Sequence, residues 1–164
     1  MQMQMQKQNT LDSFLKINQR ERSLSPPRAP KICKLGIIGV RKDLTANDIK
    51  EIMNLIVEDL DDIQSINVPA EGESSIYIEM YAEDSKRHIP CILYEADWRR
   101  DGKRASIFRN NKLIRESTHF LIFGAPRSEK PLQIAEQLVK KRHIVYYMPY
   151  NSMELQQLED GENT

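Results

Sequence analysis

"KLGIIGVRKDLTANDIKEIMNLIVEDL", residues 34–60, joins two periodicities in one stretch. Residues 34–40 are a short apolar run rich in Ile and Val, ended by the charged turn Arg41-Lys42-Asp43, which predicts a buried strand. Thr45 then stands three residues before Asp48, the spacing of a capping box at a helix start. After it Ile49, Ile52, Met53, Ile56, Val57 and Leu60 recur at helical spacing. A buried strand followed at once by an amphipathic helix is half of a βαβ unit, and the rest of the chain repeats it.

"IQSINVP" (63–69) predicts a second strand, and "AEGESS" a turn into a helix over roughly 75–87, with serine as its cap. "IPCILYEA" is a third strand, followed by a helix near 106–116, and "HFLIFGA" is a fourth. Pro131 suits the first turn of a helix through Leu132, Ala135, Leu138 and Val139, and "HIVYYMP" closes as strand five. The order βαβαβαβαβ predicts an α/β domain: a mainly parallel sheet of about five strands covered by helices on both faces, in a Rossmann-like three-layer arrangement.

At 164 residues the chain supports one ordinary domain with tails. Residues 1–31, with "MQMQMQ" and "RERSLSPPRAP", predict a disordered arm, 32–150 the domain, and 151–164 an acidic tail in which Met153, Leu155 and Leu158 are spaced for a short helix. No apolar run reaches membrane-spanning length, and the N-terminus lacks a signal-peptide apolar core, so an intracellular, soluble protein with no membrane partner is expected. Cys33 and Cys91 have no metal-like spacing, and a reducing compartment is the simpler reading. His88, His119 and His143 are scattered at element boundaries; no metal site is expected.

Lys plus Arg equals Asp plus Glu, 24 each, so overall charge selects no partner. Charge distribution is more informative: residues 98–115 hold seven basic residues against the single acid Asp101. Parallel sheets bind ligands beyond the carboxyl ends of their strands, and "EADWRRDGKRASIFRN" (95–110) follows strand three at such an end. There Trp98 offers a face to a flat ring, Arg109 a bidentate partner for phosphate, and Asn110 a donor and acceptor for a sugar or base edge. Gly72, Ser74 and Ser75 do the same for an anion at a helix start. The plainer alternatives are a solvated basic loop with Trp98 as a lid on the core, and a turn with its cap.

The stretches "LGIIGVR", "ADWRRDGKRASIFRN", "HFLIFGAP" and "HIVYY" resemble the SLOG superfamily, a modified Rossmann fold. It includes the DNA-processing protein A family, the lysine-decarboxylase-like phosphoribohydrolases and the YspA/YpsA-related proteins. The YspA-like branch is nearest, through Gly39 and Arg41, Ala96-Asp97-Trp98, Gly102-Lys103 and Arg109-Asn110. The resemblance covers about residues 34–149 and implies a nucleotide or nucleotide-derived ligand, no required cofactor, and a homodimer. Two loops depart from the family. The glycine-rich turn after strand two appears as "EGESSIY", keeping Gly72, and the phosphate loop after strand four as "GAPRSEKP", keeping Gly124, with Arg127, Ser128 and Lys130 as side-chain substitutes. Phosphoribohydrolase chemistry needs that second loop and its glutamate, for which Glu136 is the nearest and in poor register. Glu71, Glu73, Glu95 and Asp97 are the carboxylates at strand ends, with Glu71, Glu73 and Asp97 the weak catalytic candidates.

In the arm, "QNTLDSFL" places Gln8, Leu11, Phe14 and Leu15 at i, i+3, i+6 and i+7. This resembles the PCNA-interacting peptide that docks on replication sliding clamps, with Leu15 where many such peptides carry a second aromatic. The resemblance implies a sliding-clamp partner, a role in DNA replication or repair, and localisation to the nucleus or the site of replication. The leading expectation is therefore a nucleotide-binding domain tethered to a clamp. The alternatives are a non-catalytic interaction protein that only presents the peptide, and an enzyme that cleaves or transfers an N-glycosidic bond.

Overall fold

The computed structural model describes residues 32–160. Strand β1 (Cys33–Ile38) leads into helix α1 (Ala46–Asp59), then β2 (Ile63–Pro69), α2 (Gly72–Asp84) and β3 (Cys91–Tyr94). A one-turn helix α3 (Trp98–Asp101) and a 3₁₀ turn (Gly102–Arg104) run directly into α4 (Ala105–Arg115). Then come β4 (His119–Phe123), α5 (Lys130–Lys140), β5 (Ile144–Met148) and β6 (Gln156–Leu158). The sheet order is β3-β2-β1-β4-β5-β6; the first five strands are parallel, and β6 is antiparallel to β5. This is a Rossmann-like α/β fold, with its chain order reversing between β1 and β4.

The period of two along β1 builds both cores at once. Leu35 and Ile37 point to the α1–α2 face with Ile66, Val68, Leu121 and Phe123, whereas Ile38 joins Phe120, Ile122, Leu113 and Leu138 beneath α4 and α5. The capping box forms as its spacing predicts: Asp48 N donates to Thr45 Oγ1 and Thr45 N to Asp48 Oδ2, each at 3.1 Å. Among the described residues no helix is long and apolar enough to cross a membrane.

The structure alters four expectations. The sheet has six strands instead of about five, because residues 156–158 form an edge strand where a short helix is expected, and Leu155 is buried in the α1-side core. Helix α2 begins at Gly72, three residues early, since a φ of +79° lets this glycine turn the chain sharply after β2. Ser74 and Ser75 thus lie inside the helix rather than capping it. The basic stretch after β3 is helical, not a loop. Gln8, Leu11, Phe14 and Leu15 lie outside the described residues.

Helix α4 sits unusually close to the sheet. A Cβ on Gly36 would come within 2.6 Å of Ser117 Oγ and 2.9 Å of Leu113 Cδ2. Beside it Asn67 Nδ2 donates to Ser117 Oγ at 2.9 Å and to the Glu116 carbonyl at 3.2 Å, and its Oδ1 accepts from Ser65. Gly36→Ala is therefore expected to cost about 1–3 kcal/mol of overpacking, read as a lowered midpoint of urea unfolding.

Candidate functional site

In a sheet of this order the crevice between the ends of β1 and β4 is the usual ligand position. Here the turn after β1 is bonded to the segment after β5. Arg41, in the turn after β1, is only 1% exposed. Its Nε and Nη2 donate to the two carboxylate oxygens of Asp43 at 2.6 and 2.7 Å, and Nη1 donates to the carbonyls of Pro149 and Ser152 at 3.0 and 3.3 Å. The Tyr150 ring lies 5.6 Å from the guanidinium carbon. The hydrogen-bonded guanidinium holds the Asp43 carboxyl below the ordinary aspartate range, against the opposing effect of burial.

The Arg41 guanidinium thus latches the β1 turn to the segment after β5. The glycines of the crevice serve packing too. A Cβ on Gly39 would meet the Phe123 carbonyl at 2.7 Å, and one on Gly124 the Tyr147 hydroxyl at 2.6 Å. Arg127 is exposed, and Ser128 Oγ accepts from Lys130 N at 3.2 Å within its own turn.

A second concavity opens one step along the sheet, at the ends of β2 and β3. Ala70, Glu71, Glu95, Ala96, Trp98 and Arg109 line a cavity of about 270 Å³. The carboxylates follow the two strands, Trp98 opens α3, and Arg109 comes from α4. Arg109 is buried, with Nη2 donating to Glu71 Oε2 at 3.0 Å and Nε to Asn110 Oδ1 at 3.1 Å. Trp98 lines the cavity and is 57% exposed, so it is not packed into the core. The lid alternative therefore fails.

The remaining sequence candidates take supporting positions. Gly72 packs against Val40, where a Cβ would come within 2.5 Å of Cγ1. Ser74 Oγ accepts from Arg41 N at 3.3 Å and Ser75 Oγ donates to the Glu71 carbonyl at 2.7 Å, so both hydroxyls stabilise the loop instead of facing a ligand. Asp97 caps α3 by accepting from Arg100 N at 3.1 Å. Glu73 is exposed and does not line the cavity, and Glu136 lines a separate cavity beside α5 and β6.

The β2–β3 cavity thus differs from the sequence expectation in its electrostatics. Arg109 is expected to receive an anion, and the anion it holds is the chain's own Glu71. With Glu95 added, the cavity carries two carboxylates and one cation. It suits hydroxyl and amino donors plus a flat ring better than phosphate. No protein-family model, curated protein or solved structure matches this chain.

Proposed function

We propose that the chain is a SLOG-like domain that binds the nucleoside part of a nucleotide-derived ligand in the β2–β3 cavity. Residues 8–15 dock it on a sliding clamp, in DNA replication or repair. The observation that carries the ligand reading is the convergence of Trp98, Glu71, Glu95 and Arg109 on one cavity at the strand ends. A base stacks on the open face of Trp98, ribose hydroxyls donate to Glu71 and Glu95, and Arg109 keeps the Glu71 carboxylate in place. Any phosphates remain outside the cavity.

This assignment orders a ligand series. Adenosine, AMP, ADP-ribose and NAD are expected to raise the melting temperature to a similar degree, and inorganic phosphate or pyrophosphate not at all. At a tenfold excess over Kd the stabilisation is about 1.4 kcal/mol. Trp98→Ala should weaken binding by about 1–3 kcal/mol, the range for one base stacked on an aromatic side chain, without loss of folding. Titration calorimetry checks this; unchanged affinity in that variant, or a response to pyrophosphate alone, defeats the reading. The clamp reading rests on Gln8, Leu11, Phe14 and Leu15.

A further inference from the structure

The cavity uses one of the seven cations in residues 98–115. Arg100 is occupied by Asp101, at 3.0 Å from both carboxylate oxygens, and lies 4.0 Å from Asp97. Arg99, Lys103, Arg104, Lys112 and Arg115 are all exposed and form no ion pair among the described residues. Arg104, Phe108, Lys112 and Arg115 follow one another at spacings of four, four and three, which places the last three along one side of α4, with Arg104 at its N-cap in line with them. Phe108 is 46% exposed within this row, and the Arg104 guanidinium carbon lies 6.0 Å from the centre of its ring. Ile107 beside it is exposed as well.

We propose that this side of α4 binds single-stranded nucleic acid, with the backbone along Arg104, Lys112 and Arg115 and a base stacked on Phe108. Exposed cations in a row about 16 Å long, with no ion pair among the described residues, call for a polyanion. An exposed aromatic ring among those cations calls for a flat apolar group carried on the same polymer, and unpaired bases supply it. A duplex keeps its bases stacked and leaves Phe108 unused. This inference goes beyond the cavity and does not rest on it, since none of its residues lines that cavity.

The test is fluorescence anisotropy of a labelled oligothymidylate of about twenty nucleotides with the full chain, alone and annealed to its complement. The single strand should bind more tightly, and the logarithm of affinity should fall with the logarithm of salt at a slope of roughly −2 to −3.5, for three to five neutralised phosphates. Phe108→Ala should weaken binding about 5- to 150-fold, the range for one stacked base. A triple Arg104→Ala, Lys112→Ala, Arg115→Ala variant should flatten the slope by about 2. Its melting should not change, because all three side chains are exposed.

Equal binding by the triple variant and the parent chain overturns the proposal and moves the affinity to the basic first 33 residues. Equal affinity for duplex, insensitive to Phe108→Ala, overturns it as well. So does binding to phosphatidylserine vesicles without binding to the oligonucleotide, which assigns the face to a membrane surface. No binding at all has the same force.

Discussion

Asp43→Ala is expected to remove about 1–3 kcal/mol of stability, between the cost of losing a solvent-exposed ion pair and that of breaking a fully buried one, because the arginine is buried and the carboxylate half-exposed. Thermal unfolding should fall on the order of 10 °C, because natural domains hold only about 5–15 kcal/mol in total. The substitution deletes a side chain that is 47% exposed, so lost packing is small. The cost arises from Arg41, left charged at 1% exposure with only two carbonyls and the Tyr150 ring around it. Removing both charges should therefore do less harm than removing one: Arg41→Met combined with Asp43→Ala is expected to be more stable than Asp43→Ala alone. The pH dependence has a defined sign. The Asp43 carboxyl is held below its unfolded value, so its contribution is complete above the ordinary aspartate pKa of about 3.9 and disappears as pH falls through the depressed folded value. Asp43→Ala should abolish that part of the acid sensitivity. Calorimetric melting at neutral pH and between pH 2 and 5 measures both effects, and an unchanged melting temperature would refute the latch.

The second large effect concerns the N-terminal peptide. A segment that orders on binding must recover that entropy through a few deeply buried anchors. Leu11 and Phe14 are the bulky apolar side chains between Gln8 and Phe14, and Leu15 extends them. A peptide of residues 1–24 is expected to bind a sliding clamp by itself. Phe14→Ala should weaken that binding by about 2–4 kcal/mol, or roughly 30- to 900-fold, which removes detectable docking from a moderate-affinity peptide. The melting of the full chain should not change, since the Ser-Pro-Pro stretch 25–27 separates Phe14 from β1 in the sequence. Titration of bacterial, archaeal and eukaryotic clamps, without heat and without competition against a known clamp peptide, would remove the tether from the account.

The alternation of strands and helices is legible in the sequence because four of the five parallel strands are short apolar runs and α1 and α5 each have one apolar side. The α1 start is equally legible, as Thr45 and Asp48 satisfy each other locally. Strand β6 is not: "QQL" has no apolar run, and its place comes from pairing with β5 while Leu155 fills the core. The start of α2 is misplaced because two serines near a turn imitate a cap, whereas the positive φ of Gly72 sets the boundary.

The site divides in the same way. Trp98 and Arg109 stand in one basic segment after a strand, and their position at a strand end follows from element order alone. What Arg109 holds does not follow, because Glu71 is 38 residues away and both carboxylate and cation look available on paper. Arg41 is a sharper case. Its bonds to the Pro149 and Ser152 carbonyls span 108 and 111 residues and involve backbone groups that carry no sequence signal.

Trp98 is the chain's single tryptophan, so its emission reports on the β2–β3 cavity without a label. Titrating the full-length protein with adenosine should quench that emission saturably, at the same Kd as the melting shift and with little change when AMP replaces adenosine. A ligand that stabilises the protein while leaving Trp98 emission unchanged would place the site elsewhere and contradict the account.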